Sequence, residues 1–315
     1  MILNLINKIT GHGVYNKRIK MQPKGTCRFC TEENILCESH IIPRFVYNWL
    51  KETSVTGHLR AGATPNRRIQ DGVKRYLLCK DCETMFSQWG KIFAEKIFVP
   101  FHQGESLEPY GPWLLKFAAS VSWRVLALGK QENKLNRFSK EFLALSESAL
   151  DTWKKFLKGE IKNLTSFEQH MILFPETVIT DYDNLNIPAN INQYLARSID
   201  VNVIRSQHEA LIYVKMCKII IIGFIKINHN NTWHGSRIHV HCGNLMNIRY
   251  EISPSFGNFL FESAKKVAVS QSKISDRQWN RIEQDYKKNM DKFSESEMFR
   301  AINRDFLLFG NNMFE

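Results

Sequence analysis

The sequence predicts an α+β protein in two parts, and three patterns in its 315 residues support that prediction. Two Cys-x-x-Cys pairs lie near the N-terminus, Cys27/Cys30 and Cys79/Cys82, and this spacing lets both thiolates of a pair reach one tetrahedral zinc ion. After the second pair, apolar residues recur at helical spacing, and Ile- and Val-rich runs typical of strands follow further along the chain. We therefore expect a zinc-anchored N-terminal module followed by a larger mixed helical and β-rich domain.

The elements of the N-terminal part follow from turn residues and apolar spacing. We place a basic lead-in at 1–24 and the module at 25–104. Pro43 fits the first turn of a helix, where a missing N–H costs little, and Phe86 and Trp89 belong to an apolar helical face. The expected elements are, in order, a helix at Phe45–Lys51, a polar loop from Thr53 to Gly72, a strand at Tyr76–Leu78 and an amphipathic helix over 83–98.

The larger domain, at 105–315, combines helical and strand patterns. Its sequence leaves its role open between regulation and the binding of a partner. The expected elements are helices at Trp113–Leu128 and Phe138–Lys158, strands at Leu211–Val214, Ile219–Ile227 and Arg237–His241, and helices opened by the capping boxes Ser275-x-x-Gln278 and Ser294-x-x-Glu297.

Positive charge is concentrated in the N-terminal third of the chain. The whole sequence has 43 Lys and Arg against 31 Asp and Glu, a net charge of +12 with a pI near 9.3. Residues 1–100 contain 16 of these basic residues and 8 of the acidic ones, so this segment alone carries +8. A basic surface favours a polyanionic partner such as nucleic acid, and the N-terminal module is where we expect it to bind.

Composition and apolar runs exclude several classes of protein. Apolar residues make up 43% and charged residues 23%, which is ordinary for a globular protein and rules out a disordered chain. The longest apolar run, Ile219–Ile225, is too short to span a bilayer, so no membrane association is expected. An odd number of cysteines, seven, without a secretory signal favours a reducing compartment over a disulfide framework. We therefore expect a cytoplasmic protein.

The residues in and between the cysteine pairs form an ordered set. Cys27-x-x-Cys30 is followed by Ser39-His40-Ile41-Ile42-Pro43 and then by Leu77-Leu78-Cys79-Lys80-Asp81-Cys82-Glu83. Over residues 25–95 this order resembles the HNH endonucleases, the zinc-bearing branch of the ββα-metal nucleases. The resemblance implies a zinc-anchored ββα-metal fold and metal-dependent hydrolysis of phosphodiester bonds, chiefly in double-stranded DNA. HNH modules fused to an unfamiliar domain also resemble effectors of anti-phage defence.

The resemblance implies a role for individual positions of this sequence. His40 matches the general base of the family, and an imidazole can take a proton from an attacking water near neutral pH. Glu83 falls where the family places a ligand of the catalytic divalent ion, and a carboxylate suits Mg²⁺ or Mn²⁺. The four cysteines would hold a structural Zn²⁺, because a closed set of four thiolates leaves no position open for substrate.

Two positions depart from the family pattern. Ser39 stands where the family has an Asp or His metal ligand, and a neutral hydroxyl is a poor substitute. The Asn that usually precedes the second cysteine pair has no clear match, and Lys74 lies near that position. Asp71 could supply the missing carboxylate, or Asn66 an amide, because the intervening loop is long enough to fold back.

Six basic residues bracket His40 or lie in the segment between the cysteine pairs. Phosphate contacts from such side chains would orient a duplex over the module without reading its sequence. These candidate nucleic-acid-binding residues are Arg44, Arg60, Arg67, Arg68, Lys74 and Arg75.

Two other functional classes compete with an endonuclease. Ser39 and the missing Asn favour a zinc treble clef that binds nucleic acid without cutting it. A further hypothesis is an interaction subunit in which residues 105–315 bind a protein partner or another copy of the chain, and in which cleavage requires that partner. Metal-dependent cleavage by the chain alone separates an endonuclease from both alternatives.

Overall fold

The computed structural model describes residues 22–175, 186–228, 233–246 and 248–311. The chain is a mixed α/β protein with a four-cysteine cluster in its N-terminal region, which confirms the predicted class at that level. The basic lead-in predicted at 1–24 lies outside the described residues up to position 21. None of the described helices combines the length and the apolarity needed to cross a membrane.

The N-terminal part contains two small antiparallel sheets and three α-helices. Its elements are β1 (Lys24–Thr26), β2 (Glu33–His40), α1 (Arg44–Glu52), β3 (Leu59–Ala61), β4 (Thr64–Ile69), β5 (Lys74–Cys79), α2 (Lys80–Phe93), a π-helical turn at Ala94–Phe98 and α3 (Val99–Gln103). One sheet has the order β1-β2-β5, and β3 and β4 pair with each other as a separate ribbon. The register of β2 and β5 places Ser39 opposite Arg75 and His40 opposite Lys74.

Most of the elements predicted for this part are present. The helix predicted at Phe45–Lys51 is α1, the strand predicted at Tyr76–Leu78 is β5, and the next helix begins at Lys80, before its predicted start. The prediction of a loop from Thr53 to Gly72 is wrong in one respect, because this segment contains the β3-β4 ribbon. The ribbon lacks apolar alternation, and hydrogen bonds with α7 and with the turn that follows α7 help to hold it.

The C-terminal part is a four-stranded antiparallel sheet with helices on both faces. Its elements are α4 (Trp113–Gln131), α5 (Lys140–Lys158), β6 (Gln169–Leu173), α6 (Ile191–Arg197), β7 (Ile199–Arg205), β8 (Ala210–Met216), β9 (Ile219–Lys226), α7 (Pro254–Gln271), α8 (Asp276–Lys288), α9 (Met290–Ser294) and α10 (Glu297–Phe309). The strand order is β6-β9-β8-β7. Helices α4 and α5 pack on one face of the sheet, and α6 and α7 on the other.

The long apolar patterns predicted in this part are confirmed as α4, α5, β8 and β9. The prediction of a strand at Arg237–His241 is wrong, because these residues form no strand. Arg237 makes an isolated bridge with His170, and two backbone hydrogen bonds to the edge of β6 are too few to form a ladder. The last helix begins two residues later than predicted, because its N-cap is Ser296 and not Ser294.

One apolar core joins the two parts of the chain. Phe29 and Phe86 of the N-terminal part contact Trp123 of α4 edge to face, with ring centroids 5.2 and 5.9 Å away. Phe93 at the end of α2 stacks on Phe117 of α4 at 4.0 Å. Because aromatic side chains bury large apolar areas, these contacts fix α2 against α4.

Candidate functional site

The four predicted metal-binding cysteines converge in the structure. Cys27 and Cys30 lie between β1 and β2, Cys79 ends β5, and Cys82 lies in the first turn of α2. Their sulfur atoms all lie within 4.8 Å of one another, and Cys30 Sγ is 3.8 Å from Cys79 Sγ. A tetrahedron with zinc–sulfur bonds of about 2.3 Å places its sulfurs about 3.8 Å apart. The cluster could therefore hold a structural metal ion.

The four cysteines are largely buried, and backbone N–H groups donate to the sulfur of Cys27. Cys27, Cys79 and Cys82 are buried, and Cys30 is half-buried. Burial raises the pKa of Cys27, but N–H groups of Cys30, Cys79 and Phe29 outweigh burial and lower that pKa to about 7. The thiolate is the form that binds a metal. Four protein ligands leave no open position, which is typical of a structural site.

His40 is the last residue of β2, and Asp71 holds its imidazole. His40 Nε2 lies 2.8 Å from Asp71 Oδ1, and the imidazole side chain is 17% exposed. Asp71 Oδ1 also accepts from the backbone N–H of Gly72 at 2.8 Å, and Lys74 Nζ lies 2.6 Å from Asp71 Oδ2. An ionised carboxylate only accepts hydrogen bonds. His40 Nε2 therefore carries the proton, and Nδ1 is left as the acceptor.

The surroundings of His40 favour a neutral imidazole at pH 7. Burial lowers the pKa of His40, the hydrogen bond and charge of Asp71 raise it, and the charges of Lys74 and Arg44 lower it again, for a net decrease. Burial alone would raise the pKa of Asp71, but hydrogen bonds from Lys74, His40 and Gly72 hold it well below its usual range. A neutral imidazole with an unprotonated ring nitrogen can act as a general base.

Tyr47 and Gly72 fix the turn that carries Asp71. A Cβ atom built on Gly72 would lie 2.0 Å from Tyr47 Cζ, so a larger residue does not fit there. Tyr47 is buried in α1, and its ring centroid lies 6.3 Å from that of His40. Burial holds the pKa of Tyr47 well above its usual range, so its phenol stays protonated. The Asp-Gly dipeptide is the one sequence signal for this turn.

Ser39 does not join the group formed by His40, Asp71 and Lys74. It is 2% exposed, and its hydroxyl donates to the carbonyl oxygen of Cys37 at 3.4 Å. Successive side chains of a strand point to opposite faces of the sheet, so Ser39 faces away from the side on which His40 meets Asp71.

Glu83 is paired with a buried arginine that the sequence pattern did not indicate. Arg124 Nη2 lies 3.4 Å from Glu83 Oε1, and the guanidinium lies over the ring of Phe86 at 5.0 Å. Arg124 is 5% exposed on α4, a helix with a predominantly apolar buried surface. A lone Arg within such an apolar pattern is the signal that could have identified it, because arginine is seldom fully buried without a partner.

The described residues offer part of a donor set for a hard divalent ion. Glu83 Oε2 is buried and has no hydrogen-bond partner among them. Both carboxylate oxygens of Asp71 are engaged, and the hydroxyl of Ser39 bonds to the backbone. Mg²⁺ usually binds one or two carboxylates, with waters and substrate phosphates completing its shell. Of the residues predicted for this ion, Glu83 alone keeps a carboxylate oxygen without a partner among the described residues, and Arg124 lies beside its other oxygen.

Three of the six predicted nucleic-acid-binding residues are exposed or lie beside His40. Arg44 is the first residue of α1 and is exposed, as is Arg67 in the ribbon. Lys74 lies opposite His40 in the strand register and pairs with Asp71. Arg44 and Lys74 both lower the pKa of His40 and Asp71 raises it, so two cations and one carboxylate surround the imidazole.

The other three basic residues are engaged by the C-terminal part. Arg75 Nε lies 2.7 Å from Glu132 Oε1, and Arg68 Nη2 lies 3.1 Å from Asp285 Oδ2. Arg60 donates to a glutamine of α8. These partners are far away in sequence, and the charge pattern of the N-terminal segment gives no sign of them.

Comparison of the chain with protein-family models, with curated proteins and with solved structures finds no match. The resemblance to HNH endonucleases therefore depends on the ordered set of residues between Cys27 and Glu83. Function is carried by the chemistry of a site and not by fold class, so the geometry around His40 is the basis for assigning one.

Proposed function

We propose that this chain is an HNH-type endonuclease that hydrolyses phosphodiester bonds in double-stranded DNA. The His40–Asp71 pair carries the proposal, because a neutral, partly exposed imidazole oriented by a carboxylate meets the requirements of a general base. β2 starts just after Cys30 and ends at His40. An ion in the four-cysteine cluster would therefore fix the strand that positions the base.

The residues around His40 supply the remaining functions of such a site. His40 Nδ1 takes the proton of the attacking water, while Asp71 holds Nε2–H and stabilises the imidazolium that forms. Lys74 and Arg44 place positive charge beside the base, where it would stabilise negative charge developing on a phosphate. Arg44 also begins α1, at the positive end of the helix dipole.

Two metal ions belong to this proposal. Zn²⁺ in the four-cysteine cluster is structural, and Mg²⁺ or Mn²⁺ would bind at Glu83 through Oε2, the carboxylate oxygen that has no partner among the described residues. When bound, the divalent ion supplies Lewis-acid stabilisation of the phosphate and of the leaving oxygen.

A zinc treble clef that binds nucleic acid without cutting it is the second candidate. The Glu83–Arg124 pair favours it, because a guanidinium already compensates the charge of that carboxylate. The burial of Ser39 favours it too, since the hydroxyl faces away from His40. Such a module would bind a duplex with a strong salt dependence, and His40→Ala would leave its affinity unchanged.

Plasmid cleavage tests the proposal directly. We expect the purified chain to nick or linearise supercoiled plasmid with Mg²⁺ or Mn²⁺ and to be inactive in EDTA. His40→Ala should lower the rate by about 10²–10⁴-fold, the usual contribution of a general base. His208→Ala is the matched control, because His208 is exposed on the turn between β7 and β8.

Metal analysis of each variant shows whether the four-cysteine cluster is still loaded. Equal cleavage by wild type and a zinc-loaded His40→Ala would contradict the role given to His40. Plasmid binding at low salt without cleavage by any variant would favour the non-cutting treble clef.

A further inference from the structure

The C-terminal helices hold the β3-β4 ribbon through a row of polar contacts. We use "ribbon" for residues 59–69 and "arm" for residues 270–292, which run from the end of α7 into α9. Asn66 of the ribbon donates from Nδ2 to the carbonyl oxygen of Lys273 at 2.9 Å and accepts from the backbone N–H of Ser275 at 2.7 Å. The ribbon therefore lies against the arm and not in open solvent.

Two arginines of the ribbon face α8 of the arm. Arg68 Nη2 lies 3.1 Å from Asp285 Oδ2, with side-chain exposures of 32% and 30%. Arg60 donates to Gln278 Oε1 at 3.4 Å. Gln278 and Asp285 are seven residues apart and so lie on one face of the helix. The arm thus covers two of the cations that the sequence assigns to phosphate binding.

The arm does not fully neutralise the cations that it covers. Burial and the charge of Arg68 lower the pKa of both His58 and Arg60, and the charge of Asp285 opposes them. Arg68 Nε and His58 Nδ1 are buried and have no hydrogen-bond partner among the described residues. Unpaired buried polar atoms are costly. A ligand with more negative charge and more acceptors than one carboxylate would satisfy this cluster better.

The arm is also less deeply packed than the helix before it. α8 contributes no buried residue, whereas α7 contributes Phe256, Phe259 and Leu260 to the core. Trp279 of α8 is 46% exposed, and Met290 of α9 is 54% exposed. Elements with few buried contacts open at low free-energy cost. No residue of α8 belongs to either apolar core cluster, so displacing α8 from the ribbon leaves both cores in place.

We propose that the arm is an autoinhibitory clamp, which competes with the phosphate backbone of nucleic acid for Arg60 and Arg68 of the ribbon. This inference rests on the proposed function, because it concerns regulation of the same module. A duplex offers many phosphates, each with several acceptor oxygens, against one carboxylate and one amide of the arm. Duplex binding at the ribbon therefore displaces the arm.

Charge changes on α8 test the clamp through binding alone. Every variant carries His40→Ala, so that DNA is not cut, and fluorescence anisotropy measures its dissociation constant for a short labelled duplex across a salt series. Asp285→Asn removes the acid that pairs with Arg68. Its matched control, Glu283→Gln, removes an acid that pairs with Lys287 on the same helix. We expect Asp285→Asn to bind about three-fold more tightly than the control, the scale of an exposed ion pair.

The opposite change should strengthen the clamp. Gln278→Glu places a carboxylate opposite Arg60, whereas Gln284→Glu adds the same charge at an exposed position of α8. We expect Gln278→Glu to bind the duplex about three-fold more weakly than Gln284→Glu. Equal affinities within each pair, or no binding by any variant at low salt, would overturn the clamp.

Failure of the clamp and failure of the proposed nuclease give different results. Tighter binding by Asp285→Asn than by Glu283→Gln, in a chain whose wild type does not cut plasmid, would support the clamp and overturn the nuclease. Metal-dependent cleavage by wild type, with equal affinities in each variant pair, would overturn the clamp and support the nuclease.

Discussion

Asp71 sets the tautomer of His40 and tunes its pKa. Its carboxylate accepts from Nε2, which leaves Nδ1 as the basic nitrogen, and it opposes the lowering of the His40 pKa by burial and by Lys74. Its second oxygen lies 2.6 Å from Lys74 Nζ. This geometry favours a positioning role for Asp71, which acts through His40, over the metal-ligand role that the sequence left open.

Asp71→Asn is expected to lower the pKa of His40. The change removes the acid that raises this pKa and leaves burial, Lys74 and Arg44, all of which lower it. Because the proposed general base must be a neutral imidazole, the acidic limb of the rate–pH profile should move to lower pH, and the plateau rate should fall because an amide, unlike a carboxylate, does not fix the tautomer of His40. NMR titration of the His40 Cε1–Hε1 signal measures the pKa directly.

Lys74→Gln is the matched control for this change. It removes the cation from the same salt bridge, so the pKa of His40 should rise and not fall. A His40 pKa that stays constant in Asp71→Asn would contradict the hydrogen bond between the two side chains. Weaker Mn²⁺ binding together with a constant His40 pKa would identify Asp71 as an ion ligand instead.

The turn between β4 and β5 determines where Asp71 lies. A Cβ atom on Gly72 would overlap the ring of Tyr47, which is buried in α1. Gly72→Ala is therefore expected to cost about 1–3 kcal/mol of stability, the usual penalty of overpacking, and to slow cleavage by moving Asp71. Urea unfolding followed by circular dichroism measures the first effect, and plasmid cleavage the second.

Gly90→Ala is the same chemical change at an open position. Gly90 lies in α2, and no atom lies within 4 Å of a Cβ built there. Alanine is favoured over glycine inside a helix by about 1 kcal/mol, so this variant should be more stable than wild type. Loss of stability in Gly90→Ala, or none in Gly72→Ala, would contradict this account of the turn.

Elements with their own periodicity could be predicted from the sequence, whereas an element held by distant contacts could not. Helices α4 and α5 and strand β9 have long apolar patterns that specify their type locally. The ribbon consists of polar strands, and its Asn66 bonds to Lys273, 207 residues along the chain. Such a contact overrides local preference, since strand formation depends strongly on tertiary context.

In the candidate site, too, some residues could be predicted from the local sequence, whereas the pairings between distant residues could not. The two cysteine pairs and His40 are visible as short spacings in the N-terminal segment, so the sequence was enough to single them out. His40 and Asp71 are 31 residues apart, and Glu83 and Arg124 are 41 residues apart. Neither pairing follows from local spacing, because the first depends on how β2 pairs with β5 and the second on how α2 packs against α4.

The four-cysteine cluster and the C-terminal part share one apolar core. Phe29 lies between Cys27 and Cys30 in sequence and is 2% exposed, and its ring centroid is 4.9 Å from that of Phe86 and 5.2 Å from that of Trp123. A module of this size has little core of its own. Trp123 of α4 therefore completes the packing around the cysteine turn.

Trp123→Ala is expected to weaken zinc binding by the four-cysteine cluster and to lower the stability of the fold. Loss of the indole should cost about 3–5 kcal/mol of stability and free Phe29 to move. Trp153→Ala is the matched control, because Trp153 is fully buried on α5 and donates to the carbonyl oxygen of Phe167, outside the cysteine module. Both variants should unfold at lower urea concentration, but only Trp123→Ala should release zinc faster to a chromogenic chelator. Equal release rates would show that the cysteine turn needs no support from α4.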